Sequence, residues 1–317
     1  MRELSVPQYA EKYFDTAIAD ETRVRLYETE AADVLLPKRK PVSHKYSYGR
    51  ALVIAGSRGF SGAPVLAANA CERSGAGLTH LMIPDSIYSI AAVKCDGTVV
   101  TPLPSRDGHI SADSLPEIMG ALKKADACVI GPGFGTGADS KDIVEAVLRE
   151  AACPLVLDAD ALTACAGEPG PLSSCRAPLL LTPHTGEFKR LGGELVNGRL
   201  AGALRFAGAH PNAILLLKGY GTLVCRDGEI AVNPSGGPAM AKGGSGDVLC
   251  GILCALLAQG FEPWFAARCT AYLHGIAGDL AAAELGEYSV TPSDLIRLLP
   301  EAFRRCAAAS VIKRGGN

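Results

Sequence analysis

Six short apolar runs, each the length of a strand core, constrain most strongly what this chain can become. They are residues 51–55 (ALVIA), 81–83, 127–130 (ACVI), 155–157, 179–181 and 213–217 (AILLL). A run that is apolar at every position, rather than at every second one, belongs to a strand buried on both faces. Helical stretches fit between them at about 62–75, 113–124, 140–150 and 199–208. That alternation is the signature of a parallel sheet with helices on both sides. Residues 222–225 and 229–233 flank Arg226-Asp227-Gly228, a hairpin signal, so an antiparallel pair is expected at one edge. From Gly246 to Ala309 the chain reads as mostly helical. The 317 residues suit one large α/β unit or two small ones. The domain is expected over 46–310. Residues 1–45, polar and closing on Lys38-Arg39-Lys40-Pro41, are read as an extension with one or two helices, too few to bury a core.

Composition removes several function classes. A net charge of −2 argues for neither a nucleic-acid surface nor an acidic membrane as partner. The longest apolar stretches, 213–217 and 248–258, are too short to span a bilayer. The N-terminus carries acidic residues and no apolar core of signal-peptide length, which points to a cytoplasmic protein. Eleven cysteines, an odd number with no CxxC pair and many inside apolar segments, read as reduced, buried thiols. Cys250 and Cys254 stand one helical turn apart but have no neighbouring His or Cys partners that would complete a metal site.

In a doubly wound sheet, ligands sit at the carboxyl ends of the strands, and there the chain repeatedly turns polar and glycine-rich. Gly56-Ser57-Arg58-Gly59-Phe60-Ser61-Gly62 follows the first run, Gly131-Pro132-Gly133-Phe134-Gly135 the third and Asp158-Ala159-Asp160 the fourth. Thr182-Pro183-His184-Thr185-Gly186-Glu187 follows the fifth and Lys218-Gly219-Tyr220-Gly221-Thr222 the sixth. Most informative is Lys242-Gly243-Gly244-Ser245-Gly246-Asp247, which runs straight into the apolar stretch 248–258. A glycine turn opening a helix offers unpaired N–H groups and the positive end of the helix dipole to phosphate. Asp247 would repel a resting phosphate, but it is well placed to take a proton from a hydroxyl about to attack one. The alternative is a plain turn with Asp247 as helix N-cap. Other residues also have two readings. GPGFG lacks the spacing of a dinucleotide fingerprint and is either a turn or a close approach to ligand. His184 is a structural loop histidine or a ligand contact. Glu187 either caps the following helix or holds Mg²⁺ through water. Lys218 is a snorkelling lysine or a nucleotide contact. Of Asp158 and Asp160, a turn would let only one reach the site.

Residues 57–63, the GPGFG loop, LDADAL (157–162), TPHTGE, KGYGT and above all NPSGGPAMAKGGSGD (233–247) resemble the ADP/ATP-dependent NAD(P)H-hydrate dehydratases of the ribokinase-like superfamily. The resemblance runs from about His44 to Leu299. It implies a three-layer α/β/α fold with a mostly parallel central sheet. The implied activity is repair of hydrated NAD(P)H: ADP or ATP, with Mg²⁺, phosphorylates the C6 hydroxyl, and loss of phosphate restores the ring. Hydrate contacts are implied for Ala63, Gly133 or Gly135, His184 and Asp247, the last as catalytic base. Nucleotide contacts are implied for Lys218, Gly219, Tyr220, Gly221, Thr222 and Gly246, with Gly243, Gly244, Ser245 and Gly246 as the anion hole. The resemblance also suggests a homo-oligomer, a tetramer. Two departures stand out: His184 occupies a place where many kinases of this fold carry Asn, and Ser245 replaces a common Thr while keeping the hydroxyl. Longer members carry an N-terminal epimerase domain of roughly two hundred residues. With about 45 residues before the domain, a stand-alone dehydratase is expected. The rivals are a vitamin-precursor kinase of the same fold and a nucleotide-binding sensor without turnover.

Overall fold

The computed structural model describes residues 1–15, 25–167 and 170–314. The strands are β1 (Arg2–Glu3), β2 (Arg25–Glu28), β3 (Arg50–Ile54), β4 (Leu78–Pro84), β5 (Val99–Leu103), β6 (Ser105–Arg106), β7 (His109–Ile110), β8 (Ala127–Ile130), β9 (Leu155–Leu157), β10 (Leu179–Leu181), β11 (Ala213–Leu217), β12 (Leu223–Arg226) and β13 (Glu229–Val232). The helices are α1 (Val6–Tyr13), α2 (Gly62–Arg73), α3 (Tyr88–Lys94), α4 (Leu115–Leu122), α5 (Ser140–Glu150), α6 (Ala159–Ala164), α7 (Gly170–Ser174), α8 (Thr185–Arg190), α9 (Gly198–Ala209), α10 (Ser245–Ala258), α11 (Pro263–Leu285) and α12 (Pro292–Arg314). Eleven strands form one sheet in the order β1-β2-β13-β12-β11-β10-β9-β8-β3-β4-β5. From β11 to β5 every pairing is parallel. The expected hairpin is present, with β12 antiparallel to both β11 and β13.

Alternate residues of each strand feed two separate cores, which is what apolar runs without alternation require. Ala51 and Val53 face the side covered by α2, α10, α11 and α12. Leu52 and Ile54 face the side covered by α4, α5 and α9. The three-layer α/β/α architecture follows. Helix α10 is buried along almost its whole length, lodged between the sheet and α2. A Cβ on Gly251 would stand 2.2 Å from the Ala67 carbonyl oxygen, so the two helices meet backbone to backbone.

Residues 1–45 do more than carry a helix. Besides α1 they supply β1 and β2, and β2 pairs in parallel with β13 to extend the sheet. Tyr9, Tyr13, Leu26 and Tyr27 are buried. Residues 16–24 of this stretch lie outside the described residues. The polarity and shortness that suggested an extension say nothing about strand pairing, because β2 finds its partner about 200 residues away. All eleven cysteines are free and buried. No helix among the described residues is long and apolar enough to cross a membrane.

Candidate active site

Equal register carries β9, β10 and β11 to a common edge, where Leu157 pairs with Leu181 and Leu181 with Leu215. Just past that edge three polar side chains meet. Asp158 Oδ1 accepts hydrogen bonds from Lys218 Nζ and Thr182 Oγ1, both at 2.7 Å. Burial opposes the Lys218 charge, but Asp158 and Glu187 beside it hold its ammonium above the ordinary lysine value. Ala159, next in the chain, has φ 47°, and this turn sends Asp160 away to accept the Gly135 N–H at 2.8 Å. Only Asp158 reaches the site, as a turn there requires.

The glycine turn faces this cluster. Gly244 takes φ 97° and forms the cap of α10, whose first turn contains Ser245, Gly246 and Asp247. Asp247 is therefore not the N-cap. The Ser245 N–H turns to the Lys242 carbonyl and the Val248 N–H to that of Gly244. The N–H groups of Gly246 and Asp247 have no backbone partner among the described residues, which is the arrangement that attracts anions. A Cβ on Gly246 would lie 3.2 Å from Lys218 Nζ. The Asp247 carboxylate accepts no hydrogen bond among the described residues, and burial pushes its pKa up to about 7. The charges of Asp158, Asp160 and Glu187 push the same way, against Lys218.

These groups line a cavity of about 1010 Å³. Asp247, His184, Lys218, Gly219, Tyr220, Thr222, Gly243, Gly244, Ser245 and Gly246 all contribute to its wall. Five other sequence-derived candidates stand outside the lining. Ala63 and Gly133 touch each other, a Cβ on Gly133 reaching within 2.9 Å of Ala63 Cβ, and Gly135 leans on His109. Gly221 faces the ring of Tyr13, behind the loop. Glu187 also lies outside the lining and forms a reciprocal capping box with His184: its Oε2 accepts the His184 N–H at 2.8 Å, and His184 Nδ1 accepts the Glu187 N–H. The capping alternative for Glu187 is thus realised. Among the described residues no three His, Cys, Asp or Glu side chains gather as a metal cluster.

Arg199 and His274 also line the cavity, and sequence reasoning missed both because they sit inside helical stretches without a motif. The Arg199 guanidinium ties the KGYGT loop to its strand, donating to the carbonyls of Tyr220 at 2.6 Å and Leu217 at 3.1 Å. Burial holds the His274 imidazole down at about 4, so it stands neutral.

The NAD(P)H-hydrate dehydratase family matches residues 51–301. The bifunctional NAD(P)H-hydrate repair enzyme of Moorella thermoacetica is 40% identical over 275 residues, which are 85% of this chain and 52% of that protein. The repair enzyme of Gloeobacter violaceus is 41% identical over 266 residues, 83% of this chain and 51% of that protein. The chain thus spans about half the length of these curated relatives. The ADP/ATP-dependent NAD(P)H-hydrate dehydratase of Bacillus subtilis, co-crystallised with ATP and Mg²⁺, aligns with TM-score 0.74 and 31% identity over 87% of this chain and 96% of that one. A ribokinase-like superfamily protein of Enterococcus faecalis aligns with TM-score 0.76 and 27% identity over 89% of this chain and 96% of that one. A family match across most of the chain, on a sheet and glycine turn of this geometry, means that the chain belongs to the NAD(P)H-hydrate dehydratase family and has the ribokinase-like fold.

Proposed function

We propose that this protein returns (6S)-NADH or NADPH hydrate to the intact dinucleotide, using ADP or ATP as phosphoryl donor. The observation that carries this reading is Asp247: a half-buried carboxylate that accepts no hydrogen bond among the described residues, raised to about 7, in the first turn of a helix whose residues Gly246 and Asp247 line the cavity with N–H groups that have no backbone partner there. A base is most effective when its pKa lies near the working pH. Asp247 takes the proton of the C6 hydroxyl while that oxygen forms its bond to the terminal phosphorus and the bond to the leaving phosphate breaks. The N–H groups of Gly246 and Asp247, within the cradle of Gly243 to Gly246, stabilise the charge on the transferring group. Departure of orthophosphate from C6, with loss of the adjacent C5 proton to water, then restores the C5–C6 double bond and with it the dihydropyridine ring. In this reading Lys218, Gly219, Tyr220, Gly221 and Thr222 form the nucleotide loop, with Gly221 acting from behind. Ala63, Gly133, Gly135 and His184 bound the hydrate side.

Mg²⁺ fits this donor set. Asp158 and Glu187 stand 2.7 and 3.8 Å from Lys218 Nζ, so two carboxylates meet one ammonium beside Asp247, and their oxygens are the donors Mg²⁺ prefers. Glu187, whose carboxylate already accepts a backbone N–H, would hold the ion through water. Bound there, the ion would neutralise phosphate charge. The ATP and Mg²⁺ in the crystals of the Bacillus subtilis relative support both assignments. We also propose a homo-oligomer, a tetramer. Tyr88, Ile90 and Val93 on α3 and Val99 on the edge strand β5 expose apolar surface together, and size-exclusion chromatography with light scattering tests the assembly.

The deciding experiment incubates hydrated NADH with ADP and with ATP in parallel. The proposal requires orthophosphate release in step with returning near-ultraviolet absorbance. A phosphorylated product that accumulates would make the protein a kinase, and nucleotide binding without turnover would make it a sensor.

A further inference from the structure

Phe14 is the C-cap of α1, its N–H bonded to the Ala10 carbonyl, a place for which glycine is the usual residue. It ends α1 in the left-handed region, at φ 53° and ψ 37°, and its side chain is 89% exposed. For a bulky residue that backbone is rare and costly, and an exposed ring recovers nothing by burial. Both neighbours in the chain are anchored. Tyr13 is buried, its hydroxyl donates to the Glu28 carboxylate at 2.8 Å, and a Cβ on Gly221 would stand 2.3 Å from its ring. Asp15 accepts the N–H groups of Arg199 and Leu200, each at 2.9 Å, at the start of α9. Clamped between them, the Phe14 ring stands 6.4 Å from that of Tyr220, with 34° between the planes. Tyr220 is itself 57% exposed and lines the cavity, and Tyr13 lies 5.7 Å from it on the buried side.

We propose that Phe14 and Tyr220 together form the surface on which an adenine base stacks at the mouth of the cavity. The N-terminal segment, which precedes the residues matched by the family, is then a working part of the site. This rests on the nucleotide reading above. Strain persists where surrounding contacts enforce it, and functional sites are where such strain gathers. A flat base supplies what the two exposed rings lack, a face to stack against, and base–aromatic stacking typically changes affinity by about 5- to 100-fold. Adenine is present both in ADP or ATP and in the dinucleotide, so either can be its source.

Three probes separate the possibilities: ADP, inorganic pyrophosphate, which has no base, and hydrated NADH. Phe14→Gly removes the ring and relaxes the backbone. It should therefore raise the melting temperature of the ligand-free protein while weakening ADP binding by about 5- to 100-fold, with pyrophosphate affinity unchanged and Phe14→Trp restoring ADP binding. If the loss falls instead on the KM for the hydrate, with ADP affinity kept, the stacked adenine belongs to the dinucleotide. Wild-type affinity of Phe14→Gly for both ADP and the hydrate overturns the inference and leaves the proposed function standing. If the wild-type protein binds neither ADP nor pyrophosphate, the nucleotide reading fails, and this inference with it.

Discussion

The proposed reaction concentrates its chemistry in one carboxylate, Asp247, and the environment of that group makes the role measurable. Replacing it with Asn keeps the shape and removes the base, so turnover should fall by on the order of 10²- to 10⁴-fold while nucleotide affinity holds or improves. Steady-state kinetics beside a nucleotide titration checks this, and near-wild-type turnover would exclude Asp247 as the base. The pH profile follows from the direction of its shift. With the pKa raised to about 7, kcat/KM for the wild type should climb as pH rises through that value, because only the deprotonated form accepts a proton. The same shift has an opposite sign for stability. A carboxyl raised on folding contributes stability below its ordinary value of 3.8 and loses it as pH rises towards 7. Asp247→Asn should therefore raise the melting temperature more at pH 8 than at pH 5. Sequence pattern could identify Asp247, since it follows the glycines directly. It could not show that Asp158 lies against Lys218, because that contact depends on the register of three strands.

At the scale of elements, α10 is both wall and instrument: its packing against α2 fixes where its N-terminus points. Gly251→Ala would drive a methyl group into the Ala67 carbonyl at 2.2 Å, with the Cys71 backbone nitrogen at 2.9 Å. The helices would have to separate, at a cost of about 1–3 kcal/mol or more, visible as a lower urea midpoint. Gly246→Val tests the other end. Its Cβ would press on Lys218 Nζ, 3.2 Å away, so the protein should fold but lose most of the rise in melting temperature that ADP gives the wild type. A full shift in that variant would remove the turn from the nucleotide site. Six strands from β3 to β11, the hairpin and the large helices were legible because their apolar runs and turn residues are local signals, whereas the half-exposed edge strand β5 carries no such run. What else escaped was non-local: β2 seeking β13, Arg199 reaching from α9 to the Tyr220 carbonyl, and Gly221 turned towards Tyr13 rather than the cavity.

Across the whole molecule, residues 1–15 and 25–28 behave as part of the core rather than as an appendage. Tyr9, Tyr13, Leu26 and Tyr27 are buried, and each such side chain contributes up to about 1.5–3 kcal/mol, against a total stability of roughly 5–15 kcal/mol. Glu28 and Glu229 are buried too, and they are held by Lys12 and Tyr13 and by Tyr27 and Arg226 respectively. Removing residues 1–42 should therefore leave a chain that melts at markedly lower temperature and exposes the edge of β13. Calorimetry of that truncation, with unchanged melting as the contrary result, decides it. The burial of every cysteine has a different consequence. Burial pushes the thiols of Cys95 and Cys153 up to about 11 and that of Cys165 to about 12, and holds Cys128 and Cys250 well above their ordinary value. It is the thiolate that attacks alkylating reagents and peroxide, so the folded protein should sit inert in either until the chain opens, and then react at many sites together. Mass spectrometry after a pulse of iodoacetamide would thus count unfolded molecules directly: eleven silent sulfurs serve as a clock for global opening, started by nothing smaller.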